Sequence, residues 1–116
     1  MTTEKPDMQL EYTSWLDSLS FYNEKMTVMQ GVLQDMAIRN ASGDYRTLIE
    51  KFQRRILMQQ GYVRELDREI RSNPNFTAGE NEAAGHRNIL AEEIRDFEKV
   101  FKSLHTEFNT FLNERM

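Results

Sequence analysis

A chain of 116 residues has room for one compact domain or one elongated unit, and it is too short for a second hydrophobic core. Its hydrophobic fraction of 39% is too high for a disordered chain, and five glycines and two prolines are too few for the turns of an all-β fold. The net charge of −4 disfavours non-specific binding to nucleic acid or anionic lipid, and the lack of cysteine excludes disulfides, thiolate zinc sites and a cysteine nucleophile. We therefore expect an all-α protein.

The N-terminal residues show no basic segment followed by an apolar stretch, as a secretory signal peptide would. The longest runs of strongly apolar side chains are triplets such as Ile56, Leu57 and Met58, whereas a helix that spans a bilayer needs roughly 20 apolar residues. The lack of cysteine is compatible with the cytosol. We predict a cytoplasmic protein that makes no membrane contact.

Helix-stopping and helix-capping residues divide the chain into three segments. Gly43 suits the left-handed position after a first helix, and Pro74 ends the second because proline disfavours helical geometry in the residue before it. Thr77, followed three residues later by Glu80, fits a capping box for the third helix. The predicted helices span about residues 7–41, 44–72 and 77–114.

Apolar residues recur at alternating steps of four and three along each segment, which is typical of helices that pack against other helices. We call these positions the seam, and 24 of its 26 members are apolar. With short connections, the pattern predicts an antiparallel, up-down-up three-helix bundle or coiled coil, elongated to roughly 45 to 55 Å. The seam comprises Met8, Tyr12, Trp15, Leu19, Tyr22, Met26, Met29, Leu33 and Met36, then Tyr45, Ile49, Phe52, Ile56, Gln59, Val63, Leu66 and Ile70, then Ala83, Arg87, Leu90, Ile94, Phe97, Phe101, Leu104, Phe108 and Phe111.

The two polar seam residues, Gln59 and Arg87, predict one polar layer inside the bundle. When two antiparallel helices are joined by a short connection, the numbers of residues that lie side by side add up to a constant. This sum is about 85 for the first and second helices and about 149 for the second and third. Arg87 then lies close to Tyr22 and Tyr62. We expect its guanidinium or the tyrosine hydroxyls to form hydrogen bonds with the side-chain amide of Gln59. An unpaired buried amide would cost a few kcal/mol.

The same alignment leaves the end of the third helix unpaired, because Asp44 lies level with about residue 105. Phe108, Phe111 and Leu112 are then on an overhang, and a third helix that begins near Ala83 still leaves Phe111 and Leu112 there. We therefore predict a homodimer or a partner-binding site at this end. Four further apolar residues lie off the main seam and join the predicted interaction surface: Phe21, Val28, Leu57 and Met58.

Candidates for chemistry are few. Only two histidines exist, His86 and His105, so the chain cannot supply the paired Glu-x-x-His motifs of a di-iron bundle. Nineteen residues separate them, about 28 Å along a helix, so they cannot share a metal ion within one chain. We predict no cofactor, no metal and no small-molecule substrate. The alternative is a histidine phosphotransfer domain that uses His86, which follows small residues and precedes the cation of Arg87.

Three glycines, Gly31, Gly61 and Gly85, stand singly inside the predicted helices on the side opposite the seam. Glycine at such a position costs about 1 kcal/mol relative to alanine and adds nothing to core packing. Each is therefore either a tolerated weakness or room for something outside the bundle to approach.

The second helix carries the most basic surface. Residues 44–73 hold seven basic and five acidic side chains, whereas each flanking segment is net acidic. Because the charges alternate, we interpret this surface as a solvated face with intrahelical ion pairs and predict no nucleic-acid partner. The basic residues are Arg46, Lys51, Arg54, Arg55, Arg64, Arg68 and Arg71.

The aromatic first helix around Tyr12, Trp15, Leu16 and Tyr22, together with the closing stretch 104–112, resembles a group of short bacterial three-helix coiled-coil proteins. A spectrin-type repeat is similar in length and also places a tryptophan in its first helix. The first resemblance implies a helical fold and no catalytic residues. We predict a non-enzymatic interaction or structural adaptor protein that associates with itself.

Overall fold

The computed structural model describes the backbone of residues 6–39, 43–72 and 84–115, and the side chains of 10–39, 43–72 and 88–114. It contains three helices, α1 (Pro6–Arg39), α2 (Gly43–Arg71) and α3 (Ala84–Arg115), and no strand among the residues described. The all-α, three-helix prediction is confirmed. The first two helices lie within two residues of their predicted bounds, and α3 is described from Ala84 onward. The proposed capping box at Thr77 and Glu80 lies outside the described residues.

Helices α1 and α2 run antiparallel in the predicted alignment. The Nε2 of Gln30 donates to the carbonyl oxygen of Gln53 at 3.3 Å, and the Nε2 of Gln60 donates to the Oδ1 of Asn23 at 3.2 Å. In both pairs the residue numbers add up to 83, close to the expected 85. The molecule measures 62 × 22 × 19 Å, so the elongated shape is confirmed and the rod is somewhat longer than predicted.

Helices α2 and α3 are also antiparallel, but their alignment differs from the predicted one. Arg55 contacts Glu107 and Phe52 contacts Phe108, so the numbers in a pair add up to about 160 instead of 149. Helix α3 is therefore shifted by about three turns, or about 16 Å along the axis. The predicted overhang is wrong: Phe108 and Phe111 are only 3% and 6% exposed. Burying two phenylalanines favours this shift by about 1.5–3 kcal/mol each.

The end of α3 closes one end of the bundle with aromatic side chains. The ring of Phe52 lies 5.9 Å from that of Phe108 and 5.1 Å from that of Phe111, centroid to centroid. Tyr45, near the beginning of α2, lies 5.7 Å from Phe111. These tilted and edge-on arrangements are the ones that aromatic quadrupoles favour. They fix the alignment of α2 with α3.

The core follows the seam along the whole described length. Every apolar seam residue whose side chain is described is buried or packs against the buried cluster, and Leu16 joins them. The side chains of Met8, Ala83 and Arg87 lie outside the described residues. The fully or nearly buried members are Tyr12, Leu16, Leu19, Met26, Met29, Leu33, Ile49, Phe52, Ile56, Val63, Leu66, Ile70, Leu90, Ile94, Phe97, Phe101, Leu104, Phe108 and Phe111.

Candidate interaction surface

Four of the seven residues predicted for interaction lie on the outside of the bundle. Phe21 is 53% exposed, Val28 66%, Leu57 60% and Met58 67%. The core is filled without them, because the seam already occupies the space between the helices. These side chains therefore add apolar surface that folding of the single chain leaves in contact with water.

The other three predicted residues do not form an exposed tip. Phe108 and Phe111 are buried against α2, and Leu112 is half-buried against the same core. The prediction of a partner site at the end of α3 is wrong, because the shifted alignment brings this end level with the beginning of α2 and leaves no overhang.

Helix α1 carries an apolar stripe on its outer side, formed by Leu10, Phe21 and Val28. The steps between them are eleven and seven residues, about three and two helical turns, so the three side chains share one side of the helix. The ammonium nitrogen of Lys25 lies 5.5 Å from the centroid of the Phe21 ring. Leu10 is 66% exposed and was not among the predicted residues, although its spacing from Phe21 indicates the same side of the helix.

Helix α2 carries two more exposed apolar side chains, Leu57 and Met58, which we call the outer patch of α2; Leu57 borders the groove toward α1 and Met58 the groove toward α3. Gly61 follows one turn later, and a Cβ built on it would meet only the Nη2 of Arg64, at an ordinary 3.8 Å. No packing within the described chain requires a glycine at this position. The guanidinium of Arg64 lies over the half-buried Gly61 on this side of α2.

A shallow groove of about 400 Å³ runs between α2 and α3 next to this patch. Gln59 lies in it, and its Oε1 is buried without a hydrogen-bond partner among the described residues. A buried acceptor in that condition costs about 1–3 kcal/mol. The residues that line the groove are Met58, Gln59, Tyr62, Asp96, Phe97 and Val100.

The predicted polar layer does not form around Gln59. The shifted alignment places Gln59 level with about residue 101, roughly 21 Å along the axis from position 87. The side chain of Arg87 itself lies outside the described residues. Tyr22 donates its hydroxyl to the Oε2 of Glu98 at 3.3 Å instead. The prediction failed because it relied on the same alignment of α2 with α3.

Replacing Gln59 with leucine is expected to keep the fold and to raise the free energy of unfolding by about 1 kcal/mol, since the change removes an unsatisfied buried oxygen. Urea denaturation followed by circular dichroism measures the difference. A loss of several kcal/mol would show that the amide makes a structural hydrogen bond.

Burial and nearby carboxylates keep two tyrosines protonated. The pKa of Tyr22 is raised, first by burial and then by the charge and hydrogen bond of Glu98. The pKa of Tyr62 is raised by burial and then by the charges of Glu93, Asp96 and Glu69. Each effect disfavours the phenolate, so the folded chain holds these protons more tightly than the unfolded chain does.

The stability of the fold is therefore expected to fall as the pH rises above about 10, the ordinary pKa of tyrosine. Below that pH the two tyrosines are protonated in both the folded and the unfolded chain, and their contribution to stability is fully present. Above it the tyrosines of the unfolded chain lose their protons first, which favours unfolding. The difference in unfolding free energy between the wild type and a Tyr22→Phe, Tyr62→Phe double variant measures this dependence. A difference that stays constant or grows through this range would contradict it.

An ion pair joins α2 and α3 at the level of the aromatic end. The Nη1 and Nη2 of Arg55 donate to the two carboxylate oxygens of Glu107 at 2.8 and 3.2 Å. The hydrogen bonds and charge of Arg55 lower the pKa of Glu107. Both side chains are partly exposed, so this pair fixes the alignment more than it stabilises the fold.

The basic surface of α2 carries the intrahelical ion pairs expected from its sequence. Arg71 binds Asp67 at 2.6 Å, and Arg68 binds Glu65 at 3.5 Å. Asp67, Arg68 and Arg71 border an open groove of about 810 Å³ between α1 and α2, to which α1 adds Asp17. Because acids alternate with bases, the groove presents no continuous cationic track for a phosphate backbone.

Groups that could carry chemistry are sparse in the described part of the chain. It contains no cluster of three or more histidine, aspartate or glutamate side chains that could hold a metal ion. None of its helices is long and apolar enough to cross a membrane. His105 stacks on Phe101 with 5.5 Å between ring centroids, and the side chain of His86 lies outside the described residues.

Comparisons with protein-family models, with characterised proteins and with solved structures gave no significant match. The resemblance to short bacterial three-helix proteins therefore stays a prediction.

Proposed function

We propose that this protein works by contact with other proteins, as a non-enzymatic interaction or structural adaptor module. Its binding surface comprises the outer stripe of α1 (Leu10, Phe21 and Val28) and the outer patch of α2 (Leu57 and Met58). The supporting observation is that these five large apolar side chains are more than half exposed around a core that is filled without them.

The energetics favour coverage of these side chains by a partner. Fully burying a side chain such as leucine, phenylalanine or methionine is worth about 1.5–3 kcal/mol. Single exposed apolar residues are common on protein surfaces and need no explanation. On α1 they are grouped by helical spacing on one side of the helix, as they are in helices that dock against a partner.

Site-specific photo-crosslinking in the producing cell tests this proposal. A benzophenone amino acid placed at Phe21 or at Met58 is expected to form adducts with protein. The matched control is the same amino acid at Lys99, an exposed position on α3 outside both apolar surfaces. Adducts from Phe21 or Met58 and none from Lys99 would support an interaction module. Equal adducts from all three positions, or none from any, would contradict it.

We further propose a bacterial cytoplasmic setting. The lack of cysteine and the resemblance of the aromatic first helix to short bacterial proteins support it. Fractionation of the producing cell, with the protein tagged at its C-terminus, is expected to recover it with cytosolic proteins. Recovery in the periplasmic or membrane fraction would contradict this setting.

The competing class is a phosphotransfer bundle that uses His86. Incubation with a radiolabelled phosphodonor separates the two classes, with His86→Gln as the matched control. We expect equal background label on both proteins. Label that is present on the wild type and absent from His86→Gln would contradict the non-enzymatic proposal.

A further inference from the structure

We propose that the groove between α2 and α3 binds an arginine side chain that a partner protein presents. The guanidinium lies on the ring of Tyr62 and donates to the carboxylate of Asp96 and to the Oε1 of Gln59. The aliphatic stem of the arginine lies along Met58 and Val100. The inference rests on the proposed function and names the chemistry of the partner beside the outer patch of α2.

The walls of this groove suit a side chain that is apolar along most of its length. Met58 is 67% exposed, Val100 46% and Tyr62 37%, and the groove that they line has a volume of about 400 Å³. Pockets that bind small ligands have volumes of about 300–1,000 Å³, so this groove has room for one long side chain. Arginine buries its methylene groups along apolar surface and keeps its charged head group among polar partners.

The charges around the groove select a cation. Asp96 lines the groove and is exposed. Burial raises the pKa of Tyr62, and the charges of Glu93, Asp96 and Glu69 raise it further, so three carboxylates act on this one hydroxyl. Because the same groove has apolar and aromatic walls, it suits an organic cation better than a metal ion.

The nearest basic side chains do not neutralise these carboxylates. Arg55, one turn away on α2, donates to both carboxylate oxygens of Glu107. On α3, Arg95 and Lys99 lie about 100° and about 60° further round the helix than Asp96, on the side away from the groove. Neither forms an ion pair with Asp96 within the described residues. A cation from outside the chain therefore meets an uncompensated negative charge.

The buried oxygen of Gln59 supplies a second acceptor. It has no hydrogen-bond partner among the described residues, although Gln59 lines the groove and is only half-buried. A rotation of this side chain brings the oxygen to an arriving donor. A guanidinium is planar and carries five N–H donors, so it stacks on an aromatic ring while its edge donates to an amide oxygen and a carboxylate. The ammonium of lysine is a compact, strongly hydrated point charge, so the groove favours arginine.

An NMR titration of the full chain with an acetylated leucine-arginine-leucine amide tests this inference. We expect shifts of the Gln59 side-chain amide and of the Tyr62 ring, with a dissociation constant in the millimolar range. The matched control peptide carries citrulline, which has the shape of arginine without its charge, and should bind at least about tenfold more weakly. A peptide with lysine in place of arginine should bind with an affinity between these two.

Variants of the chain test the two acceptors. Asp96→Asn should weaken binding of the arginine peptide by about five- to tenfold. The matched control is Glu24→Gln, which removes one negative charge from an exposed position on α1 and should change the affinity by less than about twofold.

Gln59→Leu separates binding from folding. It should weaken binding by about fivefold while the stability of the fold rises, as predicted above. Damage to the fold would lower both quantities together. Circular dichroism of each variant checks that helicity is retained.

Binding that depends on the charge of the peptide, on Asp96 and on Gln59 supports the arginine site. The site is overturned by a lack of binding up to about 10 mM peptide, or by equal binding of the citrulline or lysine peptide. Equal binding by all variants also overturns it, because a non-specific attraction to an acidic chain gives that result.

The crosslinking experiment judges the proposed function separately. Adducts from Met58 without binding of the arginine peptide would support an interaction module and remove the arginine site. Binding with the expected dependence on Asp96 and Gln59, but no adducts from any position in the cell, would support the site and contradict the interaction module.

Discussion

Replacing Phe108 with alanine is expected to lower the free energy of unfolding by about 3–5 kcal/mol. Phe108 is only 3% exposed, and its ring packs edge-on against Phe52 of α2. The change removes buried apolar surface and leaves a cavity between two helices that run side by side. Small domains have unfolding free energies of about 5–15 kcal/mol, so this one substitution brings the chain close to unfolding. Urea denaturation followed by circular dichroism measures the loss.

Phe21→Ala is the matched control for this prediction. The same side chain is removed, but Phe21 is 53% exposed on the outer side of α1. Its effect should stay within about 0.5 kcal/mol. Similar losses at both positions, or a small loss at Phe108, would contradict the alignment of α2 with α3 described here. A small loss at Phe108 is what an unpaired end of α3 would give.

Replacing Ile56 with alanine is expected to lower the free energy of unfolding by about 2–5 kcal/mol. Ile56 is fully buried at the middle of α2, where core residues of both neighbouring helices surround the seam. Ile89→Ala is the matched control, because Ile89 is 56% exposed on α3. Its effect should stay near or below about 0.5 kcal/mol. Equal losses for the two variants would contradict the assignment of inside and outside faces.

The helices and their inner faces could be predicted from the sequence because the spacing of apolar residues sets both. Ile56, Leu57 and Met58 follow one another along the chain, yet only Ile56 has the seam spacing, and only Ile56 is buried. A helix advances 100° per residue, so neighbours in sequence point to different sides.

The alignment of α3 could not be predicted from the same spacing. A heptad pattern is satisfied equally after a slide of about two or three turns, so the seam alone leaves several alignments open. The prediction took the alignment from the predicted connection between α2 and α3, and residues 73–83 lie outside the described part of the chain. Phe108 and Phe111 were correctly assigned to the seam but wrongly placed on an overhang. The polar layer around Gln59 failed for the same reason.

The candidate surface was predicted in part. Phe21, Val28, Leu57 and Met58 could be predicted to lie outside because they lie off the seam of their helices. What covers an outer face is not set by the spacing within one chain, since that depends on a second molecule.

The alignment of α2 with α3 decides which side chains of these two helices lie outside the bundle. A distance measurement by pulsed electron paramagnetic resonance tests it, because the chain has no native cysteine to interfere with spin labels on introduced cysteines. One double variant carries labels at Lys51 and Glu107, and the other at Lys51 and Asp96; all three side chains are exposed. Dilution with unlabelled chain removes distances between copies. The structure predicts the shorter distance for Lys51 with Glu107, with Asp96 displaced by about 20 Å along the axis. A shorter distance for Lys51 with Asp96 would contradict this account of the molecule.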